Sequence, residues 1–328
     1  MSAVLFTCVE RGLRHRLEHR PCQDHALVAR SRDVLILAAA DGHGGGPYVR
    51  SGMGARIACR AARKVLLDPQ VPVDRYAAAL KECFDELVRK HMALRPFLSW
   101  ELERIRELPE QSFAYGTTLM AARLTPECTW MVHIGDGAVH AIGENGRFLP
   151  FPVPAEDCTG ETESLVMPDA PERMRTAWFA SPAAVALLYT DGYDPRLRRP
   201  WPMLAVIGAE EPESALRETL RRGGNGDDRT LALFCSPERM GTDCFREGLT
   251  REYRRGGLEA EHARLSVRCR ELGGFVRSAV DKLRRTPETE NARLRERTAA
   301  AYEEYKEIKR RIGELEASLA QPDTEDLL

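Results

Sequence analysis

The chain has 328 residues, enough for one large catalytic domain with an appendage or for two ordinary domains. A formal net charge of -2 and a pI near 6.5 exclude the global basic field that nucleic acid or a membrane surface would select. Nine cysteines without a C-x-x-C pair argue against a disulfide framework or a thiolate zinc site. No apolar run reaches the roughly 18 residues of a membrane span, and no signal-peptide pattern opens the chain, so the expected location is a reducing cytoplasm.

Val4 to Val9, His25 to Arg30 and Val34 to Ala40 are short apolar or β-branched runs that predict strands, the first two separated by a polar, Arg/His-rich connection. Pro47 suits the first turn of a helix, and Val49 to Leu67 is a small-residue-rich helical stretch ended by Asp68-Pro69. Tyr76, Leu80, Phe84 and Leu87 at helical spacing predict a second helix from Asp74 to Met92 whose apolar residues belong to a core. Residues 95 to 111 read as a polar connection with room for a short helix. Thr118 to Leu124, Thr129 to Ile134, Val139 to Ile142 and Gly146 to Phe151 read as an antiparallel meander, the last strand following a Glu144-Asn145-Gly146 hairpin signal. Residues 152 to 175, rich in proline and acids, read as a long surface loop. Trp178 to Ala180, Val185 to Tyr189 and Thr230 to Cys235 complete the strands, with a helix from Pro212 to Arg222 and a glycine-rich loop before the last.

After Ser236-Pro237 the composition turns charge-rich, and strand signals stop. One helix carries Leu258, Leu265, Leu272, Val276 and Leu283 and is expected to break at Gly273-Gly274. In a second, Leu294, Thr298, Ala301, Tyr305, Ile308, Ile312, Leu315 and Leu319 alternate spacings of four and three, an a/d seam opened by Thr286-Pro287-Glu288. That seam serves either a helical hairpin packed within the chain or self-association and partner binding through residues 257–320.

The chemistry concentrates where predicted strands end. The buried-looking strand at Val34 to Ala40 runs into Asp41-Gly42-His43-Gly44-Gly45. Alone, that run reads equally well as a tight turn. Gln23-Asp24 precedes a strand, Gly135-Asp136-Gly137 lies between two, Thr190-Asp191-Gly192 follows a fourth, and Gly226-Asp227-Asp228 precedes the last. Hard divalent cations take carboxylate, carbonyl and water oxygens, so acids recurring at strand ends point to Mg²⁺ or Mn²⁺ rather than zinc or copper. Two such ions sharing a water would lower its pKa and turn it into a nucleophile for phosphoester hydrolysis.

Taken in order, these motifs resemble the metal-dependent protein phosphatase family (PPM, type 2C), in the bacterial branch whose first motif ends in P-C-Q-D. Arg14-His15 and Pro21-Cys22-Gln23-Asp24 match that opening. Asp41-Gly42-His43-Gly44-Gly45, Tyr115-Gly116-Thr117-Thr118, Gly135-Asp136, Thr190-Asp191-Gly192 and Asp227-Asp228-Arg229-Thr230 follow in the family's sequence. The resemblance, which covers about residues 1 to 236, implies an α+β fold, a four-layer α-β-β-α sandwich of two antiparallel sheets flanked by helices. With the change of composition after Ser236-Pro237, the expected division is a catalytic domain at residues 1–238 and a helical extension at 239–328. The resemblance also implies two metals, Mn²⁺ or Mg²⁺, bridged by Asp41, with the Gly42 carbonyl on the second and Asp191 and Asp227 on the first. Asp24 would act through metal-bound water, and Asp136 would match a third, weaker position. His43 would be the general acid for a phosphoserine or phosphothreonine leaving group, against the alternative of a helix-start histidine bonding the backbone.

The chain departs from the family at three places. His19 stands where many members carry a phosphate-binding arginine, so that contact passes to Arg20, Arg16 or His15. The usual Gly-Asp-Ser turn is Gly-Asp-Gly, and the usual Asp-Asn is Asp227-Asp228, an extra acid for metal or for an ion pair. The expected partner is a phosphorylated protein, in opposition to a Ser/Thr kinase. The alternative is a catalytically weak module of the same fold that recruits a partner through its C-terminal helices.

Overall fold

The computed structural model describes residues 3–152, 162–192, 226–285 and 292–320, with residue 214 besides. The chain divides into two compact units, Met1–Leu249 and Thr250–Leu328. Among the described residues no helix is long and apolar enough to cross a membrane.

In the first unit two sheets form, both antiparallel. One has five strands in the order β2-β3-β4-β5-β7: His25–Ser31, Val34–Ala40, Leu119–Leu124, Thr129–Ile134 and Arg175–Phe179. The other has four in the order β1-β9-β8-β6: Val4–Glu10, Arg229–Cys235, Ala183–Tyr189 and Ala138–Gly143. The unbroken apolar run of β3 follows from burial on both faces. Leu35, Leu37 and Ala39 point into the space between the sheets, where they meet Met120, Ala186, Leu188, Ala232 and Phe234. Ile36, Ala38 and Ala40 point the other way, against Ala55, Ala58 and Ala62 of helix α2 (Ser51–Leu67) and the neighbouring helix α3 (Tyr76–Leu94). A period of two therefore feeds two cores from one strand. On the far side of the four-stranded sheet, Phe6, Leu187, Leu231 and Leu233 pack with Phe245, Met240 and Leu249. These come from the short helix Pro237–Met240 and the start of the long helix Asp243–Arg285. Two antiparallel sheets between helices, followed by a helical region, is thus the architecture expected from the sequence.

Several expectations are corrected. The meander stops at β5. Gly135, at φ 108°, takes a left-handed conformation that favours glycine, and the chain crosses to the other sheet, where β6 pairs with β8; β7 takes the free edge of β5. Gly146–Phe151 is not a strand: only Phe148 bridges back to Ile142, and Pro150 and Pro152 lack the N–H groups a ladder needs. The Arg/His-rich connection holds a short helix, α1 (Leu13–Leu17). The polar connection at 95 to 111 holds α4 (Ser99–Ile105). Residues 164 to 174 are folded in rather than lying as a surface loop, with Leu165 and Val166 buried ahead of a single helical turn, α5 (Ala170–Arg173). Apart from residue 214, the helix read at Pro212 to Arg222 lies outside the described residues.

The second unit is an antiparallel helical hairpin. Arg311 pairs with Glu261, Arg268 with Glu304 and His262 with Glu316, while Arg297 lies over the Phe275 ring. The last helix, Ala292–Leu319, buries Thr298, Ala301 and Leu315 of the seam, and the other five seam positions are half-buried. The expected break at Gly273-Gly274 is absent. The helix runs through both glycines, and Gly273 lies against the Tyr305 ring, so packing overrides a propensity cost of roughly 1 kcal/mol per glycine.

Candidate active site

Antiparallel pairing brings acids that are distant in sequence to one end of the sandwich. Because His25 faces Ala40 across β2 and β3, Asp24 and Asp41 emerge side by side. The start of β4 locks Asp41 from the other flank: Asp41 N donates to Thr118 Oγ1 at 3.0 Å, and Asp41 O accepts from Thr118 N at 2.9 Å and Thr117 Oγ1 at 2.7 Å. Asp136 follows β5. Asp191 follows β8, and Tyr189 pairs with Ala138 just past the Asp136 turn. One carboxylate oxygen each from Asp41, Asp136 and Asp191 lies within 4.8 Å of the others.

Two acids at this end of the sandwich, Asp24 and Asp136, are short of donors. Asp24 is 5% exposed; its Oδ2 accepts from Thr190 Oγ1 at 2.9 Å, but Oδ1 has no hydrogen-bond partner. Asp136 Oδ2 accepts from Thr162 at 3.2 Å and its buried Oδ1 likewise has none. Burial pushes the Asp24 carboxyl up to about 7, against the Thr190 hydrogen bond that pulls it down. Burial also holds Asp41 well above the carboxylate range, and the charges of Asp24, Asp191 and Asp136 raise it further. Buried oxygens that lack donors and repel one another fit a hard divalent cation, whose charge would replace the protons that burial now favours. No histidine or cysteine belongs to the group.

The acids beside β9 meet a different environment. Asp228 is 2% exposed and supplied with donors: Oδ1 accepts from Gly12 N at 2.7 Å, and Oδ2 from Gln23 N at 2.6 Å and His15 Nδ1 at 2.8 Å. A carboxylate only accepts, so the His15 proton sits on Nδ1 and Nε2 turns toward Asp227 Oδ1, 4.0 Å away. Gly12 is required there, since a Cβ would come within 2.3 Å of the Asp227 carbonyl carbon. Asp227 Oδ1 also accepts from Asp228 N at 2.9 Å, and the structure does not bring this side chain into the group formed by Asp41, Asp136 and Asp191.

The remaining sequence-selected residues lie around these acids. Gly42 is buried and bridges Thr117. His43 N donates to Gly116 O at 3.1 Å, and the imidazole lies edge-on to Tyr48 with ring centroids 5.0 Å apart. Burial lowers its pKa while the Asp136 charge opposes that shift. Arg20 pairs with Glu18 at 3.1 Å and reaches the Gly44 carbonyl at 3.5 Å. His15 is 3% exposed and committed to Asp228, whereas Arg16 is exposed.

Sequence reasoning missed the groups that hold the site in shape. Gln23 Nε2 donates to Ser51 Oγ at 2.6 Å, tying the P-C-Q-D segment to the start of α2. Arg50 forks onto Glu101 at 2.8 and 2.9 Å, donates to Tyr115 Oη at 2.9 Å and stacks on Phe97, fixing the Tyr-Gly-Thr-Thr segment beside Asp41. An arginine and a glutamate 51 positions apart give no pairing signal in one sequence.

Two antiparallel sheets between helices, with an oxygen-only acidic group at one end, define a sandwich protein carrying a candidate divalent-cation site. Residues 11–221 match the family model described as Protein phosphatase 2C, and the chain belongs to that family. No curated protein matches it. Among solved structures it is similar to the S. agalactiae serine/threonine phosphatase, at 14% identity and a TM-score of 0.50 over 71% of this chain and 99% of that one. It is also similar to the catalytic domain of the serine threonine protein phosphatase PstP, solved with two manganese ions, at 18% identity and a TM-score of 0.49 over 71% and 97%. A third is PppA, described as a regulatory component of the T6SS in Pseudomonas aeruginosa, at 17% identity and 0.44 over 72% and 98%. Identities this low speak for the fold alone.

Proposed function

We propose that the chain is a metal-dependent serine/threonine protein phosphatase. The observation that carries the reading is the group of half-buried acids Asp41, Asp136 and Asp191 beside the buried Asp24, with Asp24 Oδ1 and Asp136 Oδ1 left without a hydrogen-bond partner, in a chain of the Protein phosphatase 2C family. Asp24, Asp41, the Gly42 carbonyl, Asp136 and Asp191 would hold Mn²⁺ or Mg²⁺, with Asp227 joining when metal is present. Asp228, its oxygens already taken, serves through His15 and the Gln23 backbone rather than as a ligand. Bound metal supplies a water acidic enough to attack phosphorus near neutral pH. Thr117 and Thr118 hold the Asp41 backbone so that its carboxylate keeps one direction. Gly116 holds the His43 backbone, and the imidazole gives its proton to the departing serine or threonine oxygen. Arg20, anchored by Glu18 beside the Gly44 carbonyl, takes the phosphate contact that His19 cannot make as a fork.

The substrate class is phosphoserine and phosphothreonine in proteins, opposing a Ser/Thr kinase, with a cytoplasmic setting suited to described cysteines that are all free. We extend the reading to residues 1–238 as the catalytic part and to the hairpin helices as the part that selects partners. The rival, a weakly catalytic module of the same fold, is favoured by one observation: no arginine stands at position 19. Phosphate release from p-nitrophenyl phosphate and from a phosphothreonine peptide with Mn²⁺ decides between them. Turnover abolished by chelator, by Asp41→Asn and by Asp191→Asn is the expected result. Turnover that survives these changes would overturn the metal mechanism, and none in the wild type would favour the rival.

A further inference from the structure

Beside the Asp227-Asp228 corner the surface opens into a cavity of about 580 Å³ lined by Glu10, Arg11, Arg16 and Arg229. The corner described above creates it. Glu10 faces Arg229 across β1 and β9, Gly12 packs on the Asp227 main chain, and His15 is drawn in by Asp228, so its neighbour Arg16 is turned outward. Three arginines face one glutamate. Arg229 is joined to Glu10 at 3.1 Å. Arg11 spends one N–H on the neutral Arg20 carbonyl at 3.3 Å, which leaves its charge uncompensated. The Arg16 guanidinium has no hydrogen bond or ion pair among the described residues. The planar forks of Arg16 and Arg11 can each hold a carboxylate or phosphate, and the cavity's volume exceeds what a single oxyanion needs.

We propose that this cavity is a second anion site, which takes a carboxylate or phosphate on a residue flanking the phosphorylated one and so selects acidic or multiply phosphorylated protein substrates. The proposal rests on the phosphatase reading for the identity of the substrate, and on the arginine geometry alone for the anion. It differs from the phosphate contact assigned to Arg20: it concerns the group that is not hydrolysed.

The test compares three phosphothreonine peptides that differ only in their flanks: glutamine, glutamate or phosphoserine. At low salt the wild type should hydrolyse the glutamate-flanked peptide with a kcat/KM about fivefold or more above the glutamine-flanked one, as expected for one or two solvent-facing charge contacts. That preference should shrink as salt is added. A larger preference for the phosphoserine flank identifies phosphate as the favoured source, and equal preference identifies any acidic side chain. Arg11→Gln combined with Arg16→Gln should bring the preference to near unity, and Arg11→Lys should retain most of it. Arg11→Gln alone should leave p-nitrophenyl phosphate turnover unchanged. A wild type indifferent to the flank, or a double variant that keeps the preference, overturns the proposal. If the wild type turns over no substrate, the phosphatase reading fails on its own. Fluorescence anisotropy of the same labelled peptides then decides the cavity: tighter binding of the acidic flanks, lost in the double variant, supports it, and equal binding overturns it.

Discussion

Asp24 and Asp228 are both buried carboxylates at the edge of a strand, and their surroundings are opposite. Asp228 is met by two backbone N–H groups and a histidine N–H, at 2.6 to 2.8 Å. Asp24 has one hydroxyl, an unpartnered oxygen, and Asp41 for a neighbour. A buried charge supplied with donors holds structure together; a buried charge short of donors and crowded by its own kind is poised for a cation. The contrast says more about function than burial or acidity does alone.

The largest effect should come from breaking the donor-poor side. Asp41→Asn should lower kcat/KM for p-nitrophenyl phosphate by about 10³-fold, because on the proposed reading it removes a metal-holding charge and the transition-state stabilisation that goes with it. It should also weaken Mn²⁺ binding measured by calorimetry, while leaving the metal-free protein as stable as the wild type or more so, since a repulsion has been relieved. A metal-free Tm that falls sharply instead would mean that Asp41 is structural.

On the donor-rich side the order reverses. Asp228→Ala strands the Gly12 and Gln23 N–H groups together with His15 and should cost about 3 kcal/mol or more in urea denaturation. Asp228→Asn, which keeps the shape and one acceptor, should cost less and retain turnover. Equal stability of the alanine variant and the wild type would erase the distinction drawn between the two aspartates.

His133 supplies an intermediate case. It is 1% exposed, its Nε2 has no partner, and burial lowers its pKa to about 3, so it folds neutral. The unfolded chain therefore binds the extra proton below about pH 6.5. Stability contributed by neutral His133 is fully present above that pH and is lost as pH falls toward 3, with a slope of at most about 1.4 kcal/mol per pH unit. His133→Leu should flatten that part of a Tm-against-pH profile; an unchanged slope would show that the histidine does not carry it.

The smallest effect concerns the hairpin. Ending the chain after Leu249 keeps Phe245 and Leu249 in the cluster under the four-stranded sheet. Turnover of the small substrate should then stay within about twofold of the full chain, as expected when a separate compact unit is removed. Ending it at residue 238 removes both side chains and should lower Tm.

Much of the fold was legible because single elements announce themselves. Val34 to Ala40 reads as a strand buried on both faces, and the alternation of fours and threes from Leu294 to Leu319 reads as a seam. Not legible was where those elements go. The crossing of β6 to the second sheet depends on the backbone at Gly135, and the burial of Leu165 and Val166 depends on a surface made by distant helices. The acids at strand ends stood out in the chain as a set. Nothing in their spacing distinguished Asp136, which converges with Asp41 and Asp191, from Asp227, which turns toward His15.

The sequence by itself determined which residues could do chemistry here, because a carboxylate at a strand end, a glycine after it and a histidine beside it are properties of short runs of chain. Only the tertiary structure decided which carboxylates would be fed by N–H groups and which left short. That outcome depends on antiparallel register and on segments hundreds of residues apart, such as Gly12 and Asp228, meeting at hydrogen-bond distance. Local sequence chooses the groups; the donors that reach them are supplied from elsewhere in the fold.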